Sequence, residues 1–299
     1  MRLEWAGMHS ATGKLQLRAH PLRRAIDPWL VLCGLLMALT VGSGSAAAAA
    51  NTEQAALSAC GFKPAPPGMI VQADAKGGLV LDDGRKLRLS DVWMATPDNL
   101  LRQVIGREII PYPAAKQPDR TGYLPAHIIV KPDVTMPYAG WLQADLLARG
   151  QAFLYIYPDQ TSCAEALYSE KSAQMAGIGI WKLDLSQKYP IFSTEGVEPF
   201  FVGTVEHLTI ERAAGRYGII RGVVLSTGSA GRWRYLNFGQ NYAQDFTVRM
   251  TAGVEKHFVD IGFPLQALKS RRVEIRGVIQ SKGGPMIDIF NPAQIVIEE

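Results

Sequence analysis

The rhythm of apolar and polar residues changes along the chain. Met69-Ile70-Val71 opens a first extended run. Gly78-Leu79-Val80-Leu81 and Lys86-Leu87-Arg88-Leu89 then flank Asp82-Asp83-Gly84. Asp-Gly between alternating runs predicts a hairpin. Thr96-Pro97-Asp98 predicts a helix start: Thr96 suits the N-cap, Pro97 the first helical position, and Asp98 the positive end of the dipole. Residues 99–105 continue it. Residues 109–112 and 127–131 read as strands, and 141–148 as a helix ended by Gly150. Ser162-Cys163-Ala164-Glu165 has the form of a capping box and predicts a further helix running to Gly177, with Trp181 beyond it. Residues 182–199 lose periodicity and read as a linker. After it, residues 201–209, 217–226, 232–238, 246–250, 273–280 and 286–290 alternate between turns, which predicts a small β-barrel or sandwich. The class is mainly β with α, an α+β arrangement. The expected organisation is a segment 1–50, a domain over 51–193 including the linker, and a second domain over 194–299.

Charge changes this picture only after the N-terminus is set aside. The 299 residues carry 31 Lys+Arg and 27 Asp+Glu, net +4. Residues 1–28 are basic, residues 29–41 are apolar, and Ala46 to Ala50 follow a Gly-Ser stretch. That order predicts a secretory signal cleaved near Ala48–Ala50, with a late start at Met8 or a retained anchor as the other readings. The apolar run is short of the ~20 residues that span a bilayer. Segment 1–50 holds five basic and two acidic residues, so residues 51–299 keep 26 and 25. The exported chain is near neutral, and global charge gives no argument for nucleic acid. Export implies a periplasmic or secreted location and an oxidising compartment. Cys60 and Cys163 are then the only two cysteines, and we expect them to pair. Two separate buried thiols are the other reading, since sequence does not show the Cα separation. Three cysteines in the whole chain and five scattered histidines exclude a four-Cys zinc site and an HExxH centre.

Four pieces in order carry a family resemblance over residues 69–181. They are Arg88-Leu89 leading to Ala95-Thr96-Pro97-Asp98, then Asp119-Arg120-Thr121-Gly122-Tyr123. Next come Leu146-Leu147-Ala148-Arg149-Gly150-Gln151-Ala152 and the stretch Glu170 to Trp181. Together they resemble the staphylococcal-nuclease-like, or thermonuclease, family. The resemblance implies a five-stranded OB-type barrel with three helices and Ca²⁺-dependent phosphodiester hydrolysis. In such a centre carboxylates hold the ion, a Glu helps activate water, and two Arg residues stabilise the developing charge. Arg88 matches the first Arg, with a solvated strand residue as the other reading. Asp98 stands one methylene short where the Glu belongs, and a helix-start acid is its simpler explanation. Ala95 replaces a ligand Asp. Asp74-Ala75-Lys76-Gly77-Gly78 replaces the strand motif Asp-Gly-Asp-Thr, and Tyr123 stands where the second Arg belongs. Hard cations want several oxygen ligands, and each lost electrostatic group costs ~10²–10³ in rate. The expectation is a vestigial centre at Arg88 and Asp98, with no metal and no cofactor. Ca²⁺ enters only under the alternative of an active nuclease.

Residues 200–299 resemble an OB-type nucleic-acid-binding module, more loosely, through Tyr235-Leu236-Asn237-Phe238-Gly239, Val273-Glu274-Ile275-Arg276-Gly277 and Gly284-Pro285-Met286-Ile287. Such barrels bind strands with a cationic groove and stacking aromatics. Lys269, Arg271, Arg272 and Arg276 are the densest basic stretch and the candidate phosphate contacts. In Arg232-Trp233-Arg234-Tyr235, alternation puts the two Arg on one face and the aromatics on the other. Trp233 and Tyr235 read as core residues rather than stacking groups. The expected function is binding of nucleic acid or an envelope partner without strong catalysis. An active nuclease and a structural envelope module for protein contacts are the rivals.

Overall fold

The computed structural model describes residues 42–74, 77–94, 101–133, 139–167, 169–182, 191–192, 200–208, 210–241, 244–260 and 262–298. The N-terminal signal therefore lies almost wholly outside the described residues, as do Ala95 to Leu100 and most of the expected linker. Helix α1 (Gly42–Ala59) runs through the alanines where cleavage is expected. Its end is anchored: Leu57 is fully buried, and Glu53 accepts a bond from the Trp141 amide at 2.6 Å.

The first half is built from strands β1 (Gly68–Ala73), β2 (Gly78–Leu81), β3 (Lys86–Leu89), β4 (Val92–Met94), β5 (Glu108–Pro113), β6 (Leu124–Val130), β7 (Gly140–Trp141) and β8 (Ala152–Leu154). The Asp82-Asp83-Gly84 hairpin forms as the alternation predicts, with Leu79 opposite Leu87. Gly84 takes a φ of 85°, which a side chain would strain. Strands β1, β2, β3, β6 and β5 then pair in a closed ring, β3 running parallel to β6. Every second residue points inward. Ile70, Leu79, Leu87, Leu89, Ile109 and Ile128 fill the ring.

Helix α2 (Leu142–Ala148) buries Leu142, Leu146 and Leu147 on this core. Gly150 at φ 61° ends it, and the Gln151 amide donates to the Leu146 carbonyl at 2.8 Å. The single helix expected from Ser162 is instead a 3-10 turn at Ala164–Ala166 followed by helix α3 (Ser169–Ala176). Cys163 is fastened at that point by two long-range contacts. It forms a disulfide with Cys60, Cα atoms 5.6 Å apart, and its amide donates to buried Asp91 at 2.7 Å.

The second half comprises β9 (Ile191–Phe192), β10 (Phe200–Thr204), helix α4 (Ile210–Ala213), β11 (Tyr217–Val223), β12 (Ser226–Ala230), β13 (Trp233–Asn237), β14 (Thr247–Thr251), helix α5 (Ala252–Asp260), β15 (Arg272–Lys282), β16 (Gly284–Ile289) and β17 (Ile295–Ile297). Among the described residues these strands form one nine-stranded sheet, ordered β12-β13-β14-β16-β15-β11-β10-β9 with β17 on β15. Two pairings are parallel, β10 with β11 and β14 with β16.

Residues 45–299 make one compact unit. Strands β4 and β8 pair with each other in a separate two-stranded sheet, and an aromatic cluster joins it to the nine-stranded sheet: Phe153 stacks on Phe200 at 5.0 Å, Trp93 meets Phe200 at 4.2 Å, and Tyr155, just after β8, stacks on Tyr217 at 4.2 Å. The class is α+β with strands prevailing. No helix among the described residues is long and apolar enough to cross a membrane.

Candidate functional site

Arg88 sits on β3 between inward Leu87 and Leu89, so its side chain faces outward. It does not stand free. Nη1 pairs with Asp119 Oδ2 at 2.9 Å, Nη2 donates to Thr121 Oγ1 at 3.2 Å, and the guanidinium lies 4.9 Å from the Tyr123 ring centroid. The segment Asp119 to Tyr123 folds around the Asp119 carboxylate. Oδ1 accepts from the Thr121 amide at 2.8 Å, its hydroxyl at 2.6 Å and the Tyr123 amide at 3.1 Å. Partial burial opposes ionisation of Asp119, but these bonds and the Arg88 charge outweigh it and hold the carboxyl below its usual range.

Tyr123 donates its hydroxyl to Asp74 Oδ2 at 2.6 Å. That bond, with some burial, pushes the phenol up. Asp74 also accepts from the Gly78 amide at 2.8 Å. The carboxylates of Asp119 and Asp74 are thus both engaged by the protein's own donors. Asp98 falls in 95–100, outside the described residues. Among the described residues no three His, Cys, Asp or Glu side chains come together as a metal site. Arg120 is exposed.

The basic stretch divides. Lys269, Arg271 and Arg272 are exposed at the start of β15. Arg276 does not join them, and its expected role as a phosphate contact is corrected by its burial at 2% exposure. Its Nη2 pairs with Glu170 Oε2 at 2.7 Å and with Glu274, while Nη1 donates to the Leu154 carbonyl at 3.2 Å. Burial pushes the Glu170 carboxyl up despite Arg276. Glu274 is held low because Arg276 and Arg221 together outweigh its burial. Arg276 is an interior ion-pair hub, linking β15 to α3 and β8.

A surface that the sequence reading assigned to the core is open instead. Leu236 of β13 and Val248 and Met250 of β14 are fully buried, so their neighbours Trp233, Tyr235 and Arg249 point to the opposite face. Trp233 and Tyr235 are half-buried. Arg249 lies opposite Tyr235 in the register and brings its guanidinium to 4.1 Å from the Trp233 ring centroid. Arg232, exposed in the preceding turn, approaches the same ring at 4.7 Å. Arg249 is fixed by two bonds of 2.8 Å to Asp288 on β16, which raise its already high pKa. Arg234 points the other way and pairs with Glu255 of α5. The face thus combines two aromatic rings with an anchored Arg and an exposed one. The readable signal for it was Arg249 between Val248 and Met250, an outward charge on a strand beside Trp233.

No protein-family model matches the chain, and no curated protein matches it.

Proposed function

We propose that the protein is an exported, thermonuclease-like OB barrel with a disabled catalytic centre, joined to a second OB-like barrel, and that it binds single-stranded nucleic acid on the β12–β14 face. The observation that carries this reading is Trp233 between Arg232 and Arg249, beside Tyr235. Bases stack on aromatic rings whatever their sequence, and Arg supplies phosphate contacts and cation–π attraction. A base stacking on Trp233 takes the place of Arg232, whose charge then meets the backbone. Lys269, Arg271 and Arg272 are further exposed cations, at the start of β15. The disabled centre is supported by Arg88, whose charge is already answered by Asp119. An arginine that stabilises a phosphoryl transition state has to offer that charge to the substrate.

The test is salt-titrated binding of a fluorescent oligothymidylate, with Ca²⁺ or EDTA present. Affinity should fall with salt at a slope of about −0.7 per phosphate contact. Trp233→Ala should cost ~1–3 kcal/mol of binding, and the oligonucleotide should remain intact in both buffers. A flat slope, or no binding at about 50 mM salt, ends the nucleic-acid reading in favour of a protein partner. Degradation with Ca²⁺ but not with EDTA ends the disabled-centre reading in favour of an active nuclease.

A further inference from the structure

A cavity of about 490 Å³ lies among α3, α5 with the segment after it, and strands β15 and β17. That is the size of a small-molecule site. Its walls are apolar, with Leu167, Phe258, Phe263, Leu268, Ile295 and Ile297 among them. Its floor is the ion-pair hub of Glu170, Glu274 and Arg276. The lining carboxylates are already met. Glu170 and Glu274 hold Arg276, and Arg221 pairs with Glu274 at 2.9 Å and Glu298 at 3.0 Å.

The polar groups left over are donors, both on α3 and three residues apart, hence on one helical face. Arg221 donates to Gln174 Oε1 at 3.3 Å, which fixes the amide and turns Nε2 into a buried donor with no partner among the described residues. Lys171 lines the same cavity, is exposed at its edge, and is in no ion pair among the described residues. A cation and an amide N–H beside an apolar chamber match a carboxylate head on an apolar tail.

We propose that this cavity binds a medium-chain carboxylate amphiphile, its head at Lys171 and Gln174 and its tail among the Phe258, Phe263 and Leu268 side chains. Glu170, Glu274 and Glu298 balance Arg221, Arg276 and Lys171 in charge.

Calorimetric titration of the purified protein with decanoate, 1-decanol and decyltrimethylammonium tests this. Decanoate should bind one site at least about tenfold tighter than the other two. Lys171→Ala with Gln174→Leu should erase that advantage and leave decanol binding unchanged. Ala293→Trp fills the chamber from a half-buried lining position and should abolish decanoate binding at unchanged melting temperature. Equal affinity for the three heads overturns the proposal, as does tighter binding of the ammonium or no heat with decanoate. Full decanoate binding by a folded Ala293→Trp protein overturns it too. Should Ala293→Trp not fold, the comparison of heads and the Lys171→Ala, Gln174→Leu variant still decide.

Discussion

Arg276→Met separates an interior ion-pair hub from a phosphate contact. Methionine matches much of the arginine stem and removes the charge. The side chain is 3% exposed, and Glu170 and Glu274 face it at 4% each. After the change Glu170 keeps the Leu154 amide at 2.9 Å but no cation. Glu274 keeps Arg221. Removing one partner of a buried pair leaves an uncompensated charge and costs ~3–5 kcal/mol. At ~2–4 °C per kcal/mol for a unit of this size, thermal denaturation should show a fall of roughly 6–20 °C at pH 7.

The sign with pH is fixed by Glu170. Its folded pKa is raised above 4.5, so its protonation favours the fold below that value, and the benefit is lost as pH rises through the raised value. Without Arg276 the penalty for ionising Glu170 grows, so the gap from wild type should widen as pH rises from about 4.5 towards neutrality. Glu170→Gln in the Arg276→Met background should recover part of the loss, because the amide oxygen still accepts from Leu154. An unchanged melting temperature together with a salt slope shallower by about 0.7 would refute this reasoning and restore Arg276 as a phosphate contact.

Two other perturbations probe the first half. The Cys60–Cys163 bridge closes a separation of 103 residues, for which the chain-entropy model gives at most ~4–5 kcal/mol. Cys60→Ser with Cys163→Ser should lower the denaturant midpoint towards that limit, and dithiothreitol should then have no further effect; a midpoint that stays put contradicts it. Asp119→Asn removes the ion pair with Arg88, whose side chains are 32% and 30% exposed, so it should cost no more than ~1 kcal/mol at pH 7. Asp119 has a lowered pKa, so its contribution is present above pH 3.8 and lost as pH falls through the folded value. The gap between Asp119→Asn and wild type should close in acid, and a constant gap in urea titrations from pH 7 to pH 2 contradicts the assignment.

Local rules carried far in this chain where the deciding groups were neighbours. Asp82-Asp83-Gly84 needed only its own turn geometry and the Leu79–Leu87 alternation. Gly150 ended α2 because a positive φ at that point frees the chain from the helix. The rule failed at Ser162. Its hydroxyl does accept from the Ala164 amide at 3.1 Å, as a cap should. Yet Cys163 is held by Cys60 from over a hundred residues upstream and by Asp91, and helical order resumes only at Ser169. A constraint of that range leaves no trace in a window of four residues.

The two surfaces misread from sequence share one cause. Alternation along a strand sorts residues into two sets, but not which set is covered. In β15, Glu274 and Arg276 are on one face with Arg272 by period, and only α3, which supplies Glu170, decides that the inner two are buried while Arg272 stays exposed. In β13 the sorting of Trp233 with Tyr235 was right, and the choice of face was inverted. Leu236 is the residue that packs, because Val248, Met250 and Ile287 come to its side through the β13–β14–β16 register. The same register carries Arg249 onto the aromatic face and fastens it there with Asp288. Linear density of charge therefore overstated Arg276 and passed over Arg249. Apolar neighbours alone do not decide it: Arg249 between buried Val248 and Met250 stays half-buried, whereas Glu274 between equally buried Val273 and Ile275 is itself buried, because α3 brings Glu170 over that face of β15 and Arg276 lies between them.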